Sequence, residues 1–264
     1  MTWTASRGPQ RIVCLTEEPT EILYALGEQQ RIVGISAYTE RPPQAKRDKP
    51  VVSAFIGGSV DKICALKPDL VIGFSDIQAD LAQQLIKANQ QVLIFNQRSL
   101  QEILDVIGAV GRLVDAADRS QVLVDGYIAG LEAAADQAAK RQIKPRVYFE
   151  EWDDPMIAGI EWVSELIELA GGTDVFADRS RGKLAKDRFV TVDEVRQADP
   201  EVLLASWCGK AFDEAATRTR LAGVSAVENG RMHELDPSII LQPGPACLTA
   251  GLAAVARLLE DAPA

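Results

Sequence analysis

Only one histidine, His233, and four cysteines, Cys14, Cys64, Cys208 and Cys247, occur in 264 residues. A transition-metal site built from imidazoles or clustered thiolates cannot be assembled from so few, and no metal ligands are assigned. The cysteines show no CxxC and no paired spacing, the pattern of reduced structural thiols rather than of a disulfide framework. Basic residues are also in short supply: 28 Lys and Arg stand against 38 Asp and Glu, a formal net charge of −10. No basic stripe exists to replace phosphate counterions, which excludes nucleic acid as a partner and argues against anionic membrane surfaces. No apolar run approaches the roughly 18 residues of a membrane span. Residues 1–10 lack the apolar stretch of a secretory signal. The sequence as it stands therefore predicts a cytoplasmic location, or a periplasmic one if a signal was removed. Catalytic signatures are missing too: there is no HExxH, no P-loop, no GxGxxG and no Ser-His-Asp arrangement. No carboxylate has a nucleophile or cofactor motif beside it that would set up acid–base chemistry. A non-catalytic protein is expected.

What is present is an internal repeat. Ser59-Val60-Asp61-Lys62-Ile63 leads to Lys67-Pro68-Asp69-Leu70-Val71-Ile72-Gly73-Phe74-Ser75. Thr191-Val192-Asp193-Glu194-Val195 leads to Asp199-Pro200-Glu201-Val202-Leu203-Leu204-Ala205-Ser206-Trp207, and the two align without a gap. Each reads as a hydroxyl N-cap, a short helix, a Pro stop and a buried strand. Two similar lobes follow from such a repeat, with a ligand expected in the cleft between them.

The rest of the chain fits that plan. Short apolar strands, Arg11–Leu15, Arg31–Ser36, Leu70–Phe74 and Gln91–Phe95, alternate with helical patterns, which predicts a parallel sheet with helical crossovers. From Leu100 to Arg141 there is no Pro, and apolar residues recur at helical spacing. One or two long helices are predicted there, with a break at Asp115 to Asp118. The cycle then restarts: a strand at Arg146–Phe149, a turn over Glu150 to Pro155, and a helix Ser164–Ala170 ended by Gly171-Gly172. The fold class is α/β: two Rossmann-like lobes with parallel sheets, residues 1–98 and 145–264, joined by helix over 99–144. A helical connection predicts small rather than large opening motions.

Ligands of open α/β sheets bind at the carboxyl ends of the strands. That rule selects Thr16, Glu17 and Glu18, Tyr38 and Thr39, Phe55 and Phe74 in the first lobe. In the second it selects Glu150, Trp152, Trp162, Trp207, Lys210 and Gln242. Aromatics are only 6% of the chain, so three of its four tryptophans at these positions suggest a large ligand with apolar faces. Trp162 reads equally well as a plug of its own lobe. Glu17, Glu18, Glu150, Glu151, Asp153 and Asp154 lie in matched segments just ahead of Pro. As helix caps they are ordinary; as cleft residues they would make an electronegative site for a smaller cationic ligand or a metal ion.

Arg11–Glu21, Gly34-Ile35-Ser36-Ala37-Tyr38 with Pro42-Pro43, and the run Asp61 to Asp69 carrying Ala-Leu-Lys-Pro-Asp resemble the class III substrate-binding proteins of ABC importers, and are most similar to those that bind vitamin B12. The resemblance spans about Arg11 to Leu259. It implies a class III periplasmic-binding-protein fold and a corrinoid held as ligand, not as catalyst. Ligand contacts would fall on Tyr38, Phe55, Phe74, Trp207 and the Gln242 loop. It also implies one surface acid per lobe, Asp61 and Asp193, for docking on basic residues of the membrane permease. Phe55 stands where a Trp is expected, and aspartates stand where glutamates are usual.

Overall fold

The structure, a computed structural model, describes residues 7–54 and 56–260. The chain divides into two compact units, Met1–Gln97 with Gln101–Gly126, and Arg98–Leu100 with Tyr127–Ala264. Among the described residues no helix is long and apolar enough to cross a membrane.

The first unit is built on β1 (Ile12–Cys14), β2 (Ile32–Ser36), β3 (Val51–Ser53), β4 (Leu70–Phe74) and β5 (Val92–Phe95). They form one sheet in the order β3-β2-β1-β4-β5, every neighbouring pair parallel. Ile12, Val13 and Cys14 are wholly buried, as are Val71 and Ile72. Such short, continuously apolar strands suit a sheet covered on both faces by helices. The strand order reverses between β1 and β4, so the crevice at a topological switch point lies at their carboxyl ends. β3 was not expected from sequence: three residues beside Pro50 give too short a pattern to stand out.

The second unit carries β6 (Arg146–Asp153), β7 (Met156–Ala158), β8 (Thr173–Asp174), β9 (Val202–Ala205) and β10 (Met232–Glu234). The order is β10-β9-β6-β7, with β8 also on β6. β6, β8, β9 and β10 pair in parallel, and β7 returns antiparallel to β6. The expected turn over Glu150 to Pro155 is therefore corrected. β6 runs on through Asp153, and the reversal is confined to Asp154-Pro155. The connecting region forms two helices, Leu100–Leu113 and Ala117–Ala138, broken at the predicted place, where Asp115 is left-handed (φ 59). The second of them begins in one unit and ends in the other.

The repeat is visible bond by bond. In the first unit Arg11 opens β1: its amide donates to Asp69 Oδ1 (2.8 Å), and its guanidinium donates to the carbonyls of Leu66 and Lys67. In the second, Arg146 opens β6: its amide donates to Glu201 (2.9 Å) and its guanidinium to the carbonyl of Asp199 (2.8 Å). Lys67 (φ 48) and Asp199 (φ 43), each ahead of Pro, are both left-handed. Each helix end thus turns back sharply, and its last carbonyls, which have no intrahelical partner, are satisfied by arginine.

Candidate functional site

In the first unit, the end of β1 runs directly into the helix Glu17–Ala25, so Thr16, Glu17 and Glu18 stand at the switch point. All three are buried, as are Thr20 and Thr39. Glu17 Oε2 accepts from the Glu40 amide at 3.1 Å. Among the described residues, Glu17 Oε1, both carboxyl oxygens of Glu18, and the hydroxyls of Thr16, Thr20 and Thr39 have no partner in full hydrogen-bond geometry. Neither carboxyl has a cation bonded to it, and burial decides their charge. It pushes Glu17 up to about 8, against the Glu40 amide. It pushes Glu18 up to about 7, only partly offset by the nearby Thr16 hydroxyl.

Gln78, fully buried, braces this end of the sheet: it accepts from the Phe74 amide (3.0 Å) and donates to the Leu15 carbonyl (3.4 Å). Gly73 makes room for it, since a Cβ there would lie 2.4 Å from Gln78 Oε1. Phe74 is buried and Tyr38 is nearly half exposed. Phe55 lies outside the described residues. A groove of about 610 Å³, lined in part by Ser75, Asp76, Ile94 and Asn96, opens beside the ends of β4 and β5.

The second unit has a different character. Glu150, wholly buried, accepts from Arg220 (2.7 Å) and from the Tyr148 hydroxyl (3.1 Å). Burial raises its pKa, with Arg220 holding it back. Glu151 takes a two-pronged bond from Arg188 (2.5 and 2.9 Å), which also reaches the Ala158 carbonyl. Asp153 Oδ1 accepts from Lys210 Nζ (2.5 Å), and its carbonyl accepts from Arg220 (3.0 Å). The electronegative patch expected from Glu150, Glu151 and Asp153 is corrected accordingly: each acid is matched by a cation from a distant segment. Pairing of this kind is what lets β6 end in three carboxylates and still be a strand.

Trp207 follows β9, is buried, and meets Phe212 edge-on at 5.1 Å. Trp152, partly exposed, donates its indole N–H to the Asp154 carbonyl (3.0 Å). Lys210 lies over both indoles. Trp162 is elsewhere: it is buried in the second unit and donates to the Ile240 carbonyl at 2.9 Å, which makes it a plug of that unit. Gln242 is buried between the helix Pro237–Ile240 and a π-helical turn, Cys247–Gly251. Asp61 and Asp193 occupy the first turns of two exposed, well-capped helices. Asp193 is 95% exposed and faces Arg196 at 3.8 Å. Sequence reasoning placed Thr16 and Thr39 at these strand ends and missed Arg188 and Arg220. The hydroxyls were legible as neighbours of the β1 and β2 ends; the arginines carried no local signal.

The family model described as periplasmic binding protein matches residues 12–239. A vitamin B12-binding protein of Vibrio cholerae is 28% identical over 246 residues, covering 91% of this chain and 86% of its own. Among solved structures, the periplasmic vitamin B12 binding protein BtuF of Vibrio cholerae is 26% identical with a TM-score of 0.77, covering 97% of this chain and 98% of its own. The periplasmic heme-binding protein RhuT from Roseiflexus sp. RS-1 is also 26% identical, with a TM-score of 0.81 and coverage of 97% and 99%.

Proposed function

This chain belongs to the periplasmic binding protein family, and we propose that its ligand is a corrinoid taken up on the carboxyl-end faces of its two sheets. It is a non-catalytic solute-binding protein of ABC importers. Its relatives are named for vitamin B12 and for heme, so the choice between these ligands rests on this chain's own residues.

The observation that carries the corrinoid is the set of buried, unbonded oxygens on Thr16, Glu17, Glu18 and Thr39. A corrin is flat, apolar on its faces and fringed by neutral amides. Hydroxyls and carboxyls held toward neutrality can accept from amide N–H groups and donate to amide carbonyls. A heme instead carries two carboxylates, which call for free cations. Arg188, Arg220 and Lys210 are each already bonded to an acid. The same pairing counts against a metal ion held by the acids of β6 alone. On the corrinoid reading the ligand contacts in the first unit include Tyr38 and Phe74, and those in the second include Trp207 and Gln242.

The test is a titration of the purified protein with cyanocobalamin, cobinamide and hemin, read by visible absorbance and tryptophan emission. Saturable binding of one corrinoid per chain, tighter than hemin, is the expected result. Hemin binding with no corrinoid response would overturn it.

A further inference from the structure

Lys210 Nζ sits 4.4 Å from the centroid of the Trp152 ring and 4.7 Å from that of Trp207. At the same time it lies 2.5 Å from Asp153 Oδ1. Two indole faces and a carboxylate around one ammonium are the parts of an aromatic cage, the arrangement that recognises amine and quaternary ammonium ligands. Here the occupant is the chain's own lysine.

The indole walls of this cage do not depend on Lys210. Trp207 is held by burial and by the edge-on contact with Phe212. Trp152 is held by its bond to the Asp154 carbonyl, and the Asp153 backbone by Arg220. The occupant, by contrast, is carried on a loop that can release it. Gly209, just before it, is left-handed (φ +88) with open space around its Cβ position, and the lysine side chain is 41% exposed. Among the described residues the buried indole N–H of Trp207 has no partner, which leaves one unused donor beside the cage.

We propose that Trp152, Trp207 and Asp153 form a recognition subsite for an organic cation of the alkylammonium class, held shut by Lys210. This goes beyond the corrinoid reading and does not depend on it. A free cation enters only by displacing a tethered one, so the wild-type chain selects against small cations that gain nothing elsewhere. A ligand with a cationic arm and further contacts can pull the lysine out.

Lys210→Ala empties the cage without touching its indole walls. The probe is choline, with its neutral carbon analogue as control, read by tryptophan emission. The expected result is saturable choline binding to Lys210→Ala at least about tenfold tighter than to the wild-type chain, a gain in the range of a desolvated cation–π contact. The neutral analogue should not reproduce it, and adding Asp153→Asn should reverse most of it. Lys210→Ser serves the same purpose if the alanine variant does not fold. The proposal is overturned if a variant with wild-type cooperative unfolding binds choline no better than the wild-type chain, or no better than it binds the neutral analogue.

Discussion

Glu17 and Glu18 show how a residue's neighbours on the chain can mislead about its charge. From sequence they are two acids opening a helix, a place where negative charge is ordinarily favourable. In the fold they are buried with no bonded cation, and burial lifts them to about 8 and about 7, against an ordinary 4.5. The folded state therefore holds protons that the unfolded state releases above about pH 4.5. Stability from these groups is complete below that pH, is lost progressively as pH rises above it, and is gone once pH has passed about 7 and 8, a loss on the order of a few kcal/mol. Glu17→Gln with Glu18→Gln removes the titration while keeping the shape. The unfolding free energy in urea, measured from pH 5 to pH 9, should fall for the wild-type chain from pH 5 to about 7 and level off above about 8. It should be much flatter for the double variant, which becomes the more stable of the two at pH 9. Parallel curves would mean that both carboxylates are ionised in the folded protein.

At the scale of elements, what the sequence shows clearly is what local chemistry decides. Ser59 and Thr191 were legible as N-caps, and each accepts a bond from the third residue of its helix. The break between the two connecting helices was legible from Asp115 to Asp118. The end of β6 was not, because Glu150, Glu151 and Asp153 are tolerable in a strand only through Arg220, Arg188 and Lys210, which lie 37 or more positions away. Period and propensity carry no trace of such partners.

The two caps also differ in a measurable way. Thr191 is part of a full capping box, in which the Glu194 carboxylate accepts in return from the Thr191 amide (2.7 Å) and also binds Arg179. Ser59 has only the single bond from the Lys62 amide, at 3.3 Å. Thr191→Ala should cost about 1–2 kcal/mol and Ser59→Ala about 0.5 kcal/mol, read as shifts in the denaturant midpoint at constant slope. Equal losses would mean that the return bond to Glu194 adds nothing.

For the whole molecule, the repeat that first suggested two lobes is carried down to matched arginines, matched left-handed residues and matched caps. The functional faces are not matched. The first unit presents hydroxyls and carboxyls held toward neutrality, and the second presents charges paired among themselves beside two indoles. The carboxyl ends of the strands differ between the units, while the repeated segment keeps Asp61 and Asp193 in equivalent first turns. Equivalent acids on both units are what a two-fold permease would need, since each half meets one. Their side chains make no contribution to either core. Charge reversal, Asp61→Lys and Asp193→Lys, should therefore leave ligand affinity and unfolding temperature within error of the wild-type chain. Ligand uptake by vesicles carrying the cognate transporter should drop several-fold for each single change and nearly to background for the pair, with the single effects weakened by added salt. Undiminished uptake by the double variant would move the docking role to other residues, and would make the matched acids nothing more than well-placed first-turn charges on two capped helices.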